Sequence, residues 1–178
     1  IQWLITFADS DQSLALPISL HEIIGDDAWV RGVADGYWDI QLNSNDFLGL
    51  SHLRLRGVSV IIVPRTDIER KCGQPRRIYR FELNAPKNGS SMHNDGNIIK
   101  VDQSLVPPVL LARVNNRDSI REPDVVGTAT LHNVCPCGTW RLTLAGGVPS
   151  NRLNADLLVD LEDIEIDFHL AYNRVKVD

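Results

Sequence analysis

Residues 163–172 read Asp163-Ile164-Glu165-Ile166-Asp167-Phe168-His169-Leu170-Ala171-Tyr172. Ile164, Ile166, Phe168, Leu170 and Tyr172 fall on one parity, and Glu165, Asp167 and His169 on the other. Strict period-two alternation is what a strand needs when one side packs on a core and the other meets water. A helix, with about 3.6 residues per turn, would scatter the same side chains around its circumference.

Working outward from this strand, shorter apolar or alternating runs occur at 14–20, 37–42, 52–63, 78–83, 98–101, 109–114, 125–132 and 139–144, and the closing run extends back to 157. Turn residues separate them at short intervals, the pattern of an antiparallel sandwich or barrel. Asp35-Gly36 lies between apolar residues 28–33 and 37–42 and reads as a type I′ hairpin joining two strands. A helical turn is expected only at 20–24. Residues 64–76, 85–96 and 115–123 read as polar loops.

Two parity switches refine the architecture. Leu53 and Leu55 have one parity and Val58, Val60 and Ile62 the other, with Gly57 at the change; Leu157, Val159 and Leu161 switch against Ile164 and Ile166 at Glu162-Asp163. A β-bulge at each place would return both apolar sets to the core side, because one extra residue resets which side chains face inward. The expectation is an all-β, antiparallel β-sandwich of jelly-roll-like form, one domain over residues 1–178, with about eight to ten strands. Trp38, Trp140, Ile164, Ile166 and Phe168 belong in its core.

At 178 residues and 43% hydrophobic composition, the chain is long enough for one sizeable core. Its net charge of -5 argues against general nucleic-acid binding, which needs a basic face. No apolar run reaches membrane-spanning length, so a soluble domain without a membrane span is expected. The chain opens on the strand-like Ile1-Gln2-Trp3-Leu4-Ile5-Thr6-Phe7 rather than on a signal-peptide pattern, as an excised domain also would.

Candidate sites follow from the same register. Tyr37, Asp39 and Gln41 share the face opposite Trp38, and an aromatic ring beside a carboxylate and an amide is sugar-binding chemistry. Arg76 and Arg77 belong to a basic cluster with Arg65, Arg70, Lys71 and Arg80, a cationic asymmetry on an acidic chain that suits an anionic partner surface or a sulfated glycan. His132, Cys135, Cys137 and distant Cys72 are four soft ligands for a tetrahedral zinc; the alternatives are structural thiols or one disulfide from Cys72. Oxygen-rich turns at Asp9-Ser10-Asp11 and Asn94-Asp95-Gly96-Asn97 contain calcium-type ligands, although these residues also dominate ordinary turns. Nucleophile elbows, Walker loops and His-Glu-x-x-His are all missing from the sequence. The catalytic alternative is a carbohydrate-active hydrolase drawing an acid/base pair from Asp160, Glu162, Asp163, Glu165 and Asp167, with His169 as a proton shuttle.

Three segments, taken together, resemble a known family. Asp46-Phe47-Leu48-Gly49 followed by Leu53-Arg54-Leu55-Arg56-Gly57-Val58-Ser59-Val60 is similar to a turn and basic strand of insecticidal toxin complex (Tc) A subunits. Thr139-Trp140-Arg141-Leu142-Thr143-Leu144 resembles that family's Trp-Arg-Leu strand, and residues 161–172 its closing strand. Leu48 stands where the family usually has proline, Arg65-Thr66-Asp67 replaces its Gly-Pro-Tyr turn, and Cys135-Pro136-Cys137 is foreign to it. The resemblance implies a C-terminal β-sandwich of a secreted assembly that docks a partner subunit and has no catalysis of its own. The leading functional expectation is therefore a non-catalytic module that docks a protein or recognises a glycan.

Overall fold

The computed structural model describes residues 12–64, 78–93, 96–114, 130–144 and 161–174. These form nine strands: β1 (Gln12–Ser19), β2 (Tyr37–Leu42), β3 (Leu50–Pro64), β4 (Ile78–Asn84), β5 (Asn88–Met92), β6 (Ile98–Asp102), β7 (Val109–Val114), β8 (Gly138–Leu144) and β9 (Leu161–Arg174). Two helices, α1 (Leu20–Ile24) and α2 (Asp26–Asp35), and a 3-10 turn at Ser44–Phe47 complete the described elements.

The strands make one sheet in the order β1-β9-β3 and a second in the order β2-β8-β4-β7, with β5 and β6 as a separate ribbon; every pairing is antiparallel. From β1 to β4 each successive strand lies in the opposite sheet, and β8 to β9 crosses back. This winding is that of a jelly-roll sandwich. Apolar residues of both inner faces merge into one core, where Trp140 meets Phe168 at 5.2 Å between ring centroids. Trp38, Trp140, Ile164, Ile166 and Phe168 are all buried there.

Both parity switches are register shifts. In the β3–β9 ladder Leu55 lies opposite Leu170 and Gly57 opposite His169, so Arg56 is the extra residue, and Leu53, Leu55, Val58 and Val60 are all buried. At the other end Val63 opposes Asp163 and Pro64 opposes Leu161, which leaves Glu162 extra and buries both Leu161 and Ile164.

Three expectations are corrected. Residues 28–33 are not a strand but part of helix α2, so Asp35-Gly36 is no hairpin turn. Gly36 caps the helix in the left-handed region at φ 78, its N–H donating to the Gly32 carbonyl at 2.8 Å. Trp29 consequently stacks on Trp38, with centroids 5.3 Å apart. Residues 88–92, read as loop, are β5, and Gly89 explains why. A Cβ there would come within 2.9 Å of the Cys135 Cβ, so only glycine lets this polar strand lie against the cysteine turn. Finally, Leu131 and His132 lie in a turn rather than a strand, while 125–129 fall outside the described residues.

Candidate functional site

The outer face of the four-stranded sheet is built by register. Tyr37 lies opposite Thr143, Thr143 opposite Glu82 and Glu82 opposite Leu110, giving one row across four strands; Asp39, Arg141 and Asn84 form the next. Tyr37, Asp39 and Gln41 are all exposed here, as the alternation of β2 requires. An open groove of about 620 Å³ runs beside them, lined by Asp39, Glu82, Asn84, Lys87, Asn88 and Arg141 among others.

The polar groups of this face are already engaged. Arg141 holds Asp39 with two parallel bonds, Nε to Oδ1 at 2.7 Å and Nη2 to Oδ2 at 2.8 Å. That carboxylate raises the guanidinium above its ordinary pKa. The Arg141 guanidinium also lies 4.4 Å from the centre of the Tyr37 ring, which covers one aromatic face. The Thr139 hydroxyl donates to Gln41 Oε1 at 2.6 Å. Arg141 and Thr139 are not among the site residues expected from sequence, although the polar alternation Thr139-x-Arg141-x-Thr143 carries their signal.

The cysteine turn is a second, buried constellation. Gln103 clamps it: its Nε2 donates to the carbonyls of Pro86 and Cys135, each at 3.1 Å, and its Oε1 accepts from the Cys135 N–H at 2.6 Å. The Trp140 indole donates to the Pro136 carbonyl at 2.7 Å. The Cys135 thiol sits 3.0 Å from the Ser90 carbonyl, and Cys137 is hydrogen-bonded to it. That bond stabilises a Cys135 thiolate, lowering its pKa to about 7, and pushes the Cys137 thiol up because its proton is the one donated. His132 is not part of this cluster. Its ring is exposed and its Nε2 accepts from Arg56 Nη1 at 2.6 Å. Among the described residues no group of three His, Cys, Asp or Glu side chains is placed to hold a metal ion. Cys72, Arg76, Arg77, residues 9–11 and Asn94-Asp95 lie outside the described residues.

Glu165, Asp167 and His169 line the outer face of the β1-β9-β3 sheet. Asp167 Oδ2 accepts from the Ser59 hydroxyl at 3.4 Å, and the His169 Nε2 is buried with no described hydrogen-bond partner. They form a row along one strand, not two carboxylates facing each other across a cleft.

Exposed hydrophobic residues concentrate along one stretch of the chain, which also carries the exposed Lys100 and Asp102. Of the nine large hydrophobic residues exposed among those described, five fall between Ile98 and Leu110: Ile98, Ile99, Val101, Leu105 and Leu110. No described helix is long and apolar enough to cross a membrane.

No protein-family model matches the chain, and no curated protein does. Among solved structures it is similar to a chain titled "nora virus structure" at 10% identity and a TM-score of 0.28, over 94% of this chain and 59% of that one. The chain thus spans 59% of the length of that relative.

Proposed function

We propose that this chain is a non-catalytic jelly-roll module that docks a protein neighbour within a larger assembly. The observation that carries this reading is the concentration of exposed hydrophobic residues along β6, the turn after it and β7, where Leu105 is 94% and Leu110 61% exposed. Scattered surface hydrophobics are ordinary, whereas five within the thirteen consecutive positions 98–110 mark a stretch of chain that gains from being covered. Jelly-roll sandwiches serve viral capsid subunits, lectins and cupins alike, so the fold alone does not choose among them. Edge-to-edge assembly is the use that such a stretch serves. The partial resemblance to a toxin-subunit docking domain points to the same class of role.

The test is a photo-crosslinking residue placed at position 105 of the protein in the cell that produces it. Cross-links to polypeptide from position 105, with none from the exposed control Asp27, are the expected result. Failure to cross-link any polypeptide overturns the reading.

A second reading, glycan recognition, is supported by the groove beside Tyr37. If it holds, a glycan array finds a ligand whose binding falls at least tenfold, about 1.4 kcal/mol, in Tyr37→Ala without loss of melting temperature. Glycoside hydrolysis abolished by Glu165→Gln would displace both binding readings.

A further inference from the structure

The ribbon ends on an open edge, and its hydrogen bonds show which backbone groups face outward. On either side of the β5–β6 ladder, the His93 N–H donates to the Asn97 carbonyl and the Gln103 N–H to the Lys87 carbonyl, each at 2.8 Å. Asn97 and Gln103 therefore direct their backbone groups toward β5. By the period of two, so do Ile99 and Val101, and the N–H and C=O groups of Ile98, Lys100 and Asp102 point away from the ribbon. No described residue takes them up, and all five residues of β6 are exposed. An apolar edge strand of this kind is a template for another strand.

The sequence of β6 discriminates among the strands that could be added. When a second copy pairs antiparallel, outward groups must meet outward groups, so only even-numbered residues can be hydrogen-bonded partners. Placing Lys100 opposite itself sets like charges together. Shifting by two residues sets Lys100 opposite Asp102 twice, once on each side of the axis, and brings Val101 against its own copy at the close, non-hydrogen-bonded spacing. A two-fold interface of this form is self-complementary and closed.

We propose that β6 is the pairing edge for a second copy of this chain, added antiparallel about a two-fold axis at Val101 so that each Lys100 stands opposite Asp102 of the other copy. The proposal rests on the protein-docking reading and specifies the neighbour. The Ser104 N–H donates to Asp102 Oδ1 at 2.9 Å and the Ser104 side chain also bonds this carboxylate, which hold its pKa below the ordinary value and fix its position at the edge.

Sedimentation equilibrium of the full chain from about 10 µM to about 1 mM tests it, a range in which a small interface of this kind should dissociate. The expected result is a monomer–dimer equilibrium weakened at least tenfold by Lys100→Asp and by Asp102→Lys, and restored when both changes are combined. Lys100→Pro supplies a second variant. It removes an outward N–H without touching the β5 ladder, so dimerisation should be lost at unchanged melting temperature. A wild type that stays monomeric throughout, or a double exchange that fails to restore pairing, overturns the proposal. If position 105 cross-links a different polypeptide while the chain stays monomeric, only this inference falls; if it cross-links nothing, the docking reading falls with it.

Discussion

Gly32 is fixed by one neighbour. A Cβ on it would lie 2.1 Å from both Cδ1 and Nε1 of Trp38, so the indole occupies the space that any other residue needs. The indole cannot withdraw freely, because it is buried and donates to the Trp29 carbonyl at 3.3 Å. Gly32→Ala is expected to lower stability by roughly 1–3 kcal/mol in denaturant titration, despite alanine's better helix propensity. Arg141→Ala should behave oppositely. The Asp39–Arg141 pair is about half exposed, so its loss should cost only about 0–1 kcal/mol. A third outcome concerns the thiols. In a Cys72→Ser background, ultraviolet thiolate absorbance should show one group ionising near pH 7, and Cys137→Ala should move that midpoint upward. Of these residue-scale features, burial of Trp38 and exposure of Tyr37 were legible from alternation alone. The Arg141 pairing was not, since it joins residues 102 positions apart and depends on a strand register that sequence cannot supply.

Among elements, β9 and α2 make the instructive contrast. β9 is paired on both sides, by β1 and β3, and its apolar row is wholly buried from Ile164 to Leu170. Phe168→Ala should therefore cost roughly 3–5 kcal/mol, measured by chemical unfolding. Amide exchange should be slowest in this strand. Its alternation was decisive in sequence because two faces with different surroundings leave a clear period. Helix α2 was missed because Ala28, Val30 and the following Asp35-Gly36 imitate a strand and its turn. The helical evidence lay in Asp26 and Asp27 at the first turn and in Trp29, Gly32 and Val33, spaced three and four apart. A type I′ turn requires positive φ at both Asp35 and Gly36, but only Gly36 adopts it, as a helix cap, while Asp35 is the last residue of the helix. Gly36→Val should cost about 1–2 kcal/mol and Gly36→Asn less. β5 was illegible for another reason: its polar residues have little intrinsic strand preference, and the space that Gly89 opens for Cys135 decides its course.

For the whole molecule, the sandwich follows from period-two patterning and three register shifts in the β3–β9 ladder; those at Arg56 and Glu162 are visible as parity switches and the one between Ser51 and Arg54 is not. The groove was not visible, because it arises where strands distant in sequence become neighbours; the open edge was not, because nothing in Ile98–Asp102 itself tells which of its sides is paired. The ribbon's attachment concentrates in few contacts. One buried amide, Gln103, ties its last turn both to the Pro86 carbonyl and to the backbone of Cys135. Gln103→Glu keeps the shape but sets a carboxylate against two carbonyl oxygens. It should lower stability by about 1–3 kcal/mol and speed amide exchange in residues 88–102 while leaving β9 protected. Gln103 is not the ribbon's sole latch, because the Ser90 N–H donates to the Cys137 carbonyl at 3.2 Å and the Cys135 thiol lies 3.0 Å from the Ser90 carbonyl. These ties fall on β5 and on the turn after β6, so seen as an engineering problem β6 itself is a cassette: with Gly89, Ser90 and Gln103 retained, its sequence should be exchangeable for another edge strand at unchanged melting temperature.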